Sequence, residues 1–448
     1  MMILVYSPKV TSRIEYVCDL LLGNLLMSQW QLTDKIESLR LHDGPKICYD
    51  KENRDAQALH VPAQGFLAER GVRSFQPPVR WHDDLPHLFP QPEQGDTGFD
   101  LFAGTFYLVS RYEEYLPHEK DAFGRFEADV SFAYLNNFLQ IPVVNHYALI
   151  LKKELQRKYP SYTSPKPVFS FLPTYDIDVA FAYKGRGLLR SALGILRSLW
   201  ERNLKAIADR FMVLANKQHD PFDTYDHQLS LSKESGIRAF YFFLCGNYGH
   251  YDKNIAFYAR SFFSVVKKLS DYAYIGLHPS FASNEEAGLL STEAERLSNI
   301  LNEDIKYSRQ HYLKLAFPQT YQNLLKVNIS HDFSMGYASQ PGFRAGICTP
   351  FFFYDLESES TTPLTVMPLA VMDGTFLQYL KSSPGDSFNT ISKIVDEIER
   401  VGGTFVSLWH NDTLRKCVGN EAWIRLYENV YRLAASKHKK DYDPVPNT

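Results

Sequence analysis

An α/β fold follows from three features of the sequence. After about residue 168, short apolar runs with strand character alternate with longer segments of helical character. Several of those runs end at or near a residue able to do chemistry: an aspartate, a histidine or an arginine. And 448 residues are more than one ordinary core serves. A stretch containing prolines and serines at 158–166 supplies a boundary, so two units are expected, residues 1–160 and residues 166–440. Repeated βα units of this kind predict a parallel barrel or a doubly wound sheet.

Taken in order, residues 3–6 read as a first strand and residues 12–26 as an amphipathic helix, with Ile14, Val17, Leu20, Leu21 and Leu25 near helical spacing. Residues 75–98, rich in Pro, His, Asp and Gly, read as loop. Residues 99–115 predict a helix with a buried aromatic face, stopped by Pro117. A further helix near 143–158 ends in basic residues, which suits its C-terminal dipole. In the second unit, Val168, Phe169, Phe171 and Leu172 predict a short buried strand. Helical stretches follow at 188–201 and 204–217, carrying several Arg and Lys: either a solvated face or an inserted helical pair. Strands are expected at 239–245, 274–278, 308–313, 328–332, 364–367 and 404–409. Helices are expected to end at Gly236 and to cover 255–268, 285–303, 318–326 and 387–401.

Composition is globular, with 45% hydrophobic and 22% charged residues. The net charge of −3 gives no basic footprint for nucleic acid. Aromatics are abundant, with 28 Tyr and 31 Phe, which suits both aromatic cores and carbohydrate stacking. The five cysteines contain no Cys-x-x-Cys pair, so neither a zinc knuckle nor a disulfide framework is indicated, and a cytoplasmic protein with reduced thiols is expected. The N-terminal residues lack a signal-peptide pattern, and no apolar run is long enough to span a membrane.

The stretch Thr174-Tyr175-Asp176-Ile177-Asp178 carries the strongest chemical signal. Carboxylates at i and i+2 on an extended segment point to one face. Holding two like charges there is costly unless a cation or a shared proton offsets them. The pair therefore marks a metal site, an acid/base pair, or at its plainest a solvated turn. His278, Arg309, His311, Asp332 and His410 occupy the ends of later strands. In a βα barrel such ends converge on one mouth. Each alone has an ordinary structural explanation; their recurrence at unequal spacings, which no helix could align, favours a shared site.

The order Thr174-Tyr-Asp-Ile-Asp178, Gly276-Leu-His278, Arg309-Gln-His-Tyr, Asp332 and Leu408-Trp-His410 resembles the NodB-homology polysaccharide deacetylases, carbohydrate esterase family four. The stretch Gly336-Tyr337, Gly342-Phe-Arg-Ala-Gly346 and Thr349-Pro350-Phe351 is similar to a two-domain bacterial subgroup of that family. The resemblance covers nearly the whole chain and implies a distorted (β/α) barrel of NodB type preceded by a smaller α/β domain. It implies Asp176 as catalytic base, Asp178 and His278 as metal ligands, Arg309 as the residue orienting the base, and His410 as general acid. The family's second metal-binding histidine falls on Ala282. His311, which follows Arg309 at i+2 and so would share its strand face, is the replacement ligand expected here, with Ser283 or a water as the alternative and a contact behind the ligands or to substrate as a further role for His311. Asp332 and Trp409 are assigned as substrate contacts. A divalent ion, with zinc as first choice, would polarise an acetamide carbonyl and acidify water. The implied function is removal of N-acetyl groups from a saccharide. Its rivals are a catalytically altered domain that binds glycans and a scaffold within a polysaccharide-biosynthesis assembly.

Overall fold

The computed structural model describes residues 1–439, so the expected end of the second unit at 440 lies just outside the described residues. Residues 1–160 build a parallel sheet in the order β2-β1-β3-β4, from β1 (Met2–Tyr6), β2 (Gln29–Thr33), β3 (Lys46–Asp50) and β4 (Leu59–Pro62). Thr11 caps the helix Ser12–Cys18, accepting from the Ile14 N–H, and the helix continues as a wider turn through Asp19–Leu25. The 75–98 stretch is not all loop. It contains an antiparallel hairpin, β5 (Val79–His82) and β6 (Leu85–Leu88), turning at Asp83 in a left-handed conformation (φ 52°). The helix expected over 99–115 breaks in two. Asp100 caps Leu101–Val109, and Arg111, left-handed at φ 53°, starts a separate turn at Tyr112–Tyr115. Helix Val143–Lys158 forms as its spacing predicts.

The second sheet has nine strands: β7 (Ser170–Ile177), β8 (Phe240–Leu244), β9 (Tyr274–His278), β10 (Tyr307–Ser308), β11 (His331–Asp332), β12 (Phe351–Asp355), β13 (Ser360–Val366), β14 (Val371–Met372) and β15 (Thr404–His410). Their order is β12-β13-β11-β10-β9-β8-β7-β15-β14, and every pairing is parallel except β12–β13. Pro173 sits within β7. It has no N–H to give, and the ladder to β8 begins one residue later, at Thr174.

This sheet curls strongly. Phe240 and Phe242 of β8 meet Phe333, just beyond β11, with ring centroids 4.8 and 5.1 Å apart, although two strands lie between them. Leu172, Met367, Leu369, Val406 and Leu408 complete the apolar filling of the concave face. The curl does not close into a hydrogen-bonded barrel: among the described residues, β12 and β14 remain edges. The reason lies in the return from β13. Residues 367–370 cross the gap as irregular chain, with the Met367 N–H donating to Asp332 O (2.8 Å), Leu369 to Met335 O (2.9 Å) and Ala370 to Val406 O (3.2 Å). Two corrections bear on the site. The strand expected at 308–313 ends at Ser308, and His311–Leu313 form a tight turn with Tyr312 left-handed (φ 63°). Helix Glu421–Lys437, which packs behind β7, was not expected at all.

The two sheets share no strand, yet buried side chains from both belong to one contiguous apolar cluster. A buried ionic network also joins them. Arg344 binds Glu114 through Nε (2.9 Å) and Nη2 (2.5 Å), while Arg111 binds Glu114 and Glu113, both at 2.8 Å, and reaches the Arg344 carbonyl. All four side chains are buried. Removing one partner of such a network strands the others without solvent. Glu114→Gln is expected to lower stability by about 3–5 kcal/mol, read as an earlier urea unfolding midpoint; an unchanged midpoint would mean that water replaces the lost charge.

Candidate metal centre and active site

The parallel ladders bring the strand ends to one mouth, as this topology requires. Asp176 is the penultimate residue of β7 and Asp178 lies one residue past its end; His278 ends β9 and His410 ends β15. Arg309 follows β10 directly. These groups line a cleft of about 200 Å³ together with His311, Tyr312, Tyr379 and Asp412, except Arg309, which lies beneath it.

Three imidazoles converge on Asp178. His278 Nε2 is 3.1 Å from Oδ1, His311 Nε2 is 3.7 Å from Oδ2, and His410 Nε2 is 3.8 Å from Oδ2. Each ring has its other nitrogen tied. His278 Nδ1 donates to the Arg309 carbonyl (2.5 Å), His311 Nδ1 to Asp252 (2.8 Å) and His410 Nδ1 to Asp373 (2.7 Å). That pattern assigns the tautomers and turns every Nε2 toward Asp178. Asp178 Oδ1 is buried and has no hydrogen-bond partner. His278 Nε2 faces that oxygen at 3.1 Å, a separation that a shared proton or a cation would bridge.

Asp178, His278 and His311 offer one ligand atom each, all within 4.8 Å of one another. One carboxylate and two imidazoles, with room for a fourth ligand, suit a divalent ion such as zinc. His311 could thus offer a ligand atom that Ala282 does not, from a turn and not from a strand face shared with Arg309. Ala282 serves a different purpose: its N–H and that of Phe281 (2.8 Å) donate to Asp252, the carboxylate that orients His311.

Asp176 is set up differently. Its Oδ1 accepts from Arg309 Nη1 (3.0 Å), leaving Oδ2 toward the cleft. Arg309 is fully buried, with Nε donating to Phe333 O (3.0 Å), Nη1 also donating to the Thr174 hydroxyl (2.7 Å), and its plane 4.6 Å from the Phe242 ring centroid. Burial opposes charge on His410, His311 and Asp178, and their partners outweigh it. His410 is held well above the usual histidine range, because the Asp373 carboxylate, then Asp178 and Asp176, outweigh its desolvation. His311 is raised to about 9 by Asp178 and Asp252 against its burial. Asp178 stays well below the usual carboxylate range: the histidines overcome its own desolvation.

Two expected contacts are corrected. Trp409 does not face the cleft. Alternation along β15 sends it to the opposite side from His410, where it is buried against Tyr427 (5.1 Å). Asp332 is fully buried beneath the site and fastens strand ends: it accepts from the Ser308 hydroxyl (2.8 Å), the Ser334 hydroxyl (2.8 Å) and the Ser334 N–H (2.9 Å). Two functional positions were missed. Asp373 follows a strand of only two residues, and Asp252 lies in an irregular loop; neither length carries a readable period. The first 160 residues also contribute. Arg125 reaches the cleft wall, bonded to Asp121 (2.6 Å), the Tyr312 carbonyl (2.9 Å) and the Tyr379 hydroxyl (3.1 Å).

Residues 3–160 match a family of unknown function, DUF7033. No curated protein matches the chain. Solved structures similar to it include polysaccharide deacetylases. Bc1974 from Bacillus cereus is 11% identical, with a TM-score of 0.29 over 61% of this chain and 89% of that one. A family 4 carbohydrate esterase from Streptomyces lividans, in complex with acetate, is 13% identical, with a TM-score of 0.27 over 48% and 83%. Puue allantoinase is 11% identical, with a TM-score of 0.38 over 62% and 96%.

Proposed function

We propose that this protein is a metal-dependent hydrolase that removes N-acetyl groups from a saccharide, with residues 1–160 as an accessory unit beside the catalytic one. The observation that carries the reading is the buried, unpartnered Asp178 Oδ1 facing His278 Nε2, with His311 completing a three-ligand set. Asp178, His278 and His311 would hold the ion, which when bound supplies Lewis acidity toward the amide carbonyl and toward water.

The chain's own groups account for the proton movements. Arg309 pins one oxygen of Asp176, so the other oxygen is oriented to take a proton from the attacking water. The water oxygen bonds to the acetyl carbon and the C–N bond breaks. His410, kept protonated by Asp373, delivers a proton from Nε2 to the departing amine. Acetate and a free amino sugar result. The glycan-binding rival draws on Ala282, which departs from the family's metal motif; it needs neither a base nor an acid, whereas Asp176 and His410 each carry an orienting partner suited to those roles.

The role split is testable by measuring bound metal and acetate released from N-acetylated oligosaccharides. Asp178→Asn should lose both metal and turnover. Asp176→Asn should keep metal and lose most turnover, because an amide takes up no proton. His410→Ala should keep metal and slow turnover roughly 10²–10⁴-fold. A wild-type protein that binds glycans but releases no acetate with any divalent ion would replace this reading with the binding one.

Asp252→Asn should weaken metal affinity about 10–100-fold by loosening His311, as measured by competition with a chelator. Asp373→Asn should move the alkaline limb of the pH–rate profile to lower pH. The sign follows from the partner: without the carboxylate, the His410 imidazolium loses its proton sooner. An unmoved limb would assign that ionisation elsewhere.

A further inference from the structure

The helical pair Leu188–Trp200 and Leu204–Leu214 is built inside out. Leu189, Leu193, Leu196 and Trp200 recur on one face, and that face points to solvent, with 75%, 57%, 61% and 86% of each residue exposed. Leu204 and Phe211 on the second helix are exposed as well. The inward side is mixed: Ser198, Arg210 and Val213 are buried, Arg210 Nη1 donates to the Ser191 carbonyl (2.8 Å), and its guanidinium fills the space a Cβ on Gly194 would need. An exposed apolar helix face of this kind marks an interaction site.

Its charge says what covers it. Residues 184–217 contain eight Lys and Arg, seven of them at least partly exposed and Arg210 turned inward, against two acidic residues, in a chain whose net charge is −3. Two copies of so basic a surface would repel each other. Exposed leucines, a tryptophan at the tip and flanking basic residues fit a lipid interface with anionic headgroups. At 13 and 11 residues the helices are too short to cross a bilayer, and no helix among the described residues is long and apolar enough to do so. The pair is inserted directly after Asp178 and is held at its base by Asp220, which accepts from the Ala182 (2.7 Å) and Tyr183 (2.8 Å) N–H groups. It therefore rises from the same end of the sheet as the cleft.

We propose that this helical pair is a docking surface for an anionic phospholipid bilayer, lying in its interface and presenting the cleft to it. The inference is independent of the reaction assigned to the cleft. The test is co-sedimentation of the full-length protein with vesicles of equal parts phosphatidylglycerol and phosphatidylcholine, against vesicles of phosphatidylcholine alone. The wild type should partition onto the anionic vesicles, less so as salt is raised. The triple variant Leu193→Glu, Leu196→Glu, Trp200→Glu should bind about tenfold less or worse, and Arg197→Glu with Arg202→Glu and Lys205→Glu should lose the preference for phosphatidylglycerol. Tryptophan emission should shift to the blue with anionic vesicles in wild type and not in Trp200→Phe. The idea is overturned by equal partitioning onto both vesicle types, by binding that survives the triple variant, or by light scattering that shows a wild-type dimer converted to monomer by it.

Discussion

One buried guanidinium sets the geometry of the mouth. Arg309 leaves the end of β10 and reaches β7 across the concave face, passing two intervening strands. It can do so only because the sheet curls. Phe242 and Phe333 form the apolar cradle that carries a cation there without water. Its charge is offset by Asp176, and its carbonyl fixes the tautomer of His278. Backbone and side chain of a single residue thus orient both the proposed base and a proposed ligand. The cost is visible as well: its Nη2 is buried with no hydrogen-bond partner.

The three histidines differ in what lies behind them. A neutral carbonyl stands behind His278, and carboxylates stand behind His311 and His410. A carboxylate raises the basicity of the ring it holds. Asp373 does more than accept from His410 Nδ1: its other oxygen takes the His410 backbone N–H (2.8 Å) and the Thr413 hydroxyl. The end of β15 is therefore held through its backbone as well as through its side chain.

Much of this could be read from the chain. Two aspartates at i and i+2 after a short apolar run share a face in the structure as they do on paper, and His278 and His410 end their strands as expected. His311 was reached by the wrong route: it joins the site because the backbone turns at a left-handed Tyr312, not because it shares a strand face with Arg309. Trp409 shows alternation overlooked, since a neighbour of an inward His410 on a strand must point outward. Asp373 and Asp252 had no such signal. Each depends on contacts made tens of residues away, and a two-residue strand or an irregular loop has no period to read.

Arg125 couples the first 160 residues to the cleft in a way that reaches beyond stability. Its guanidinium packs on Phe123 and Tyr379, and it holds the carbonyl of Tyr312, the residue beside His311. The wall of the cleft is thus shared property between segments that fold on different sheets. Sequence drift in the first 160 residues can reshape the mouth while Asp176, Asp178 and the three histidines stay the same. The shape of the entrance and the chemistry of its floor can then evolve separately.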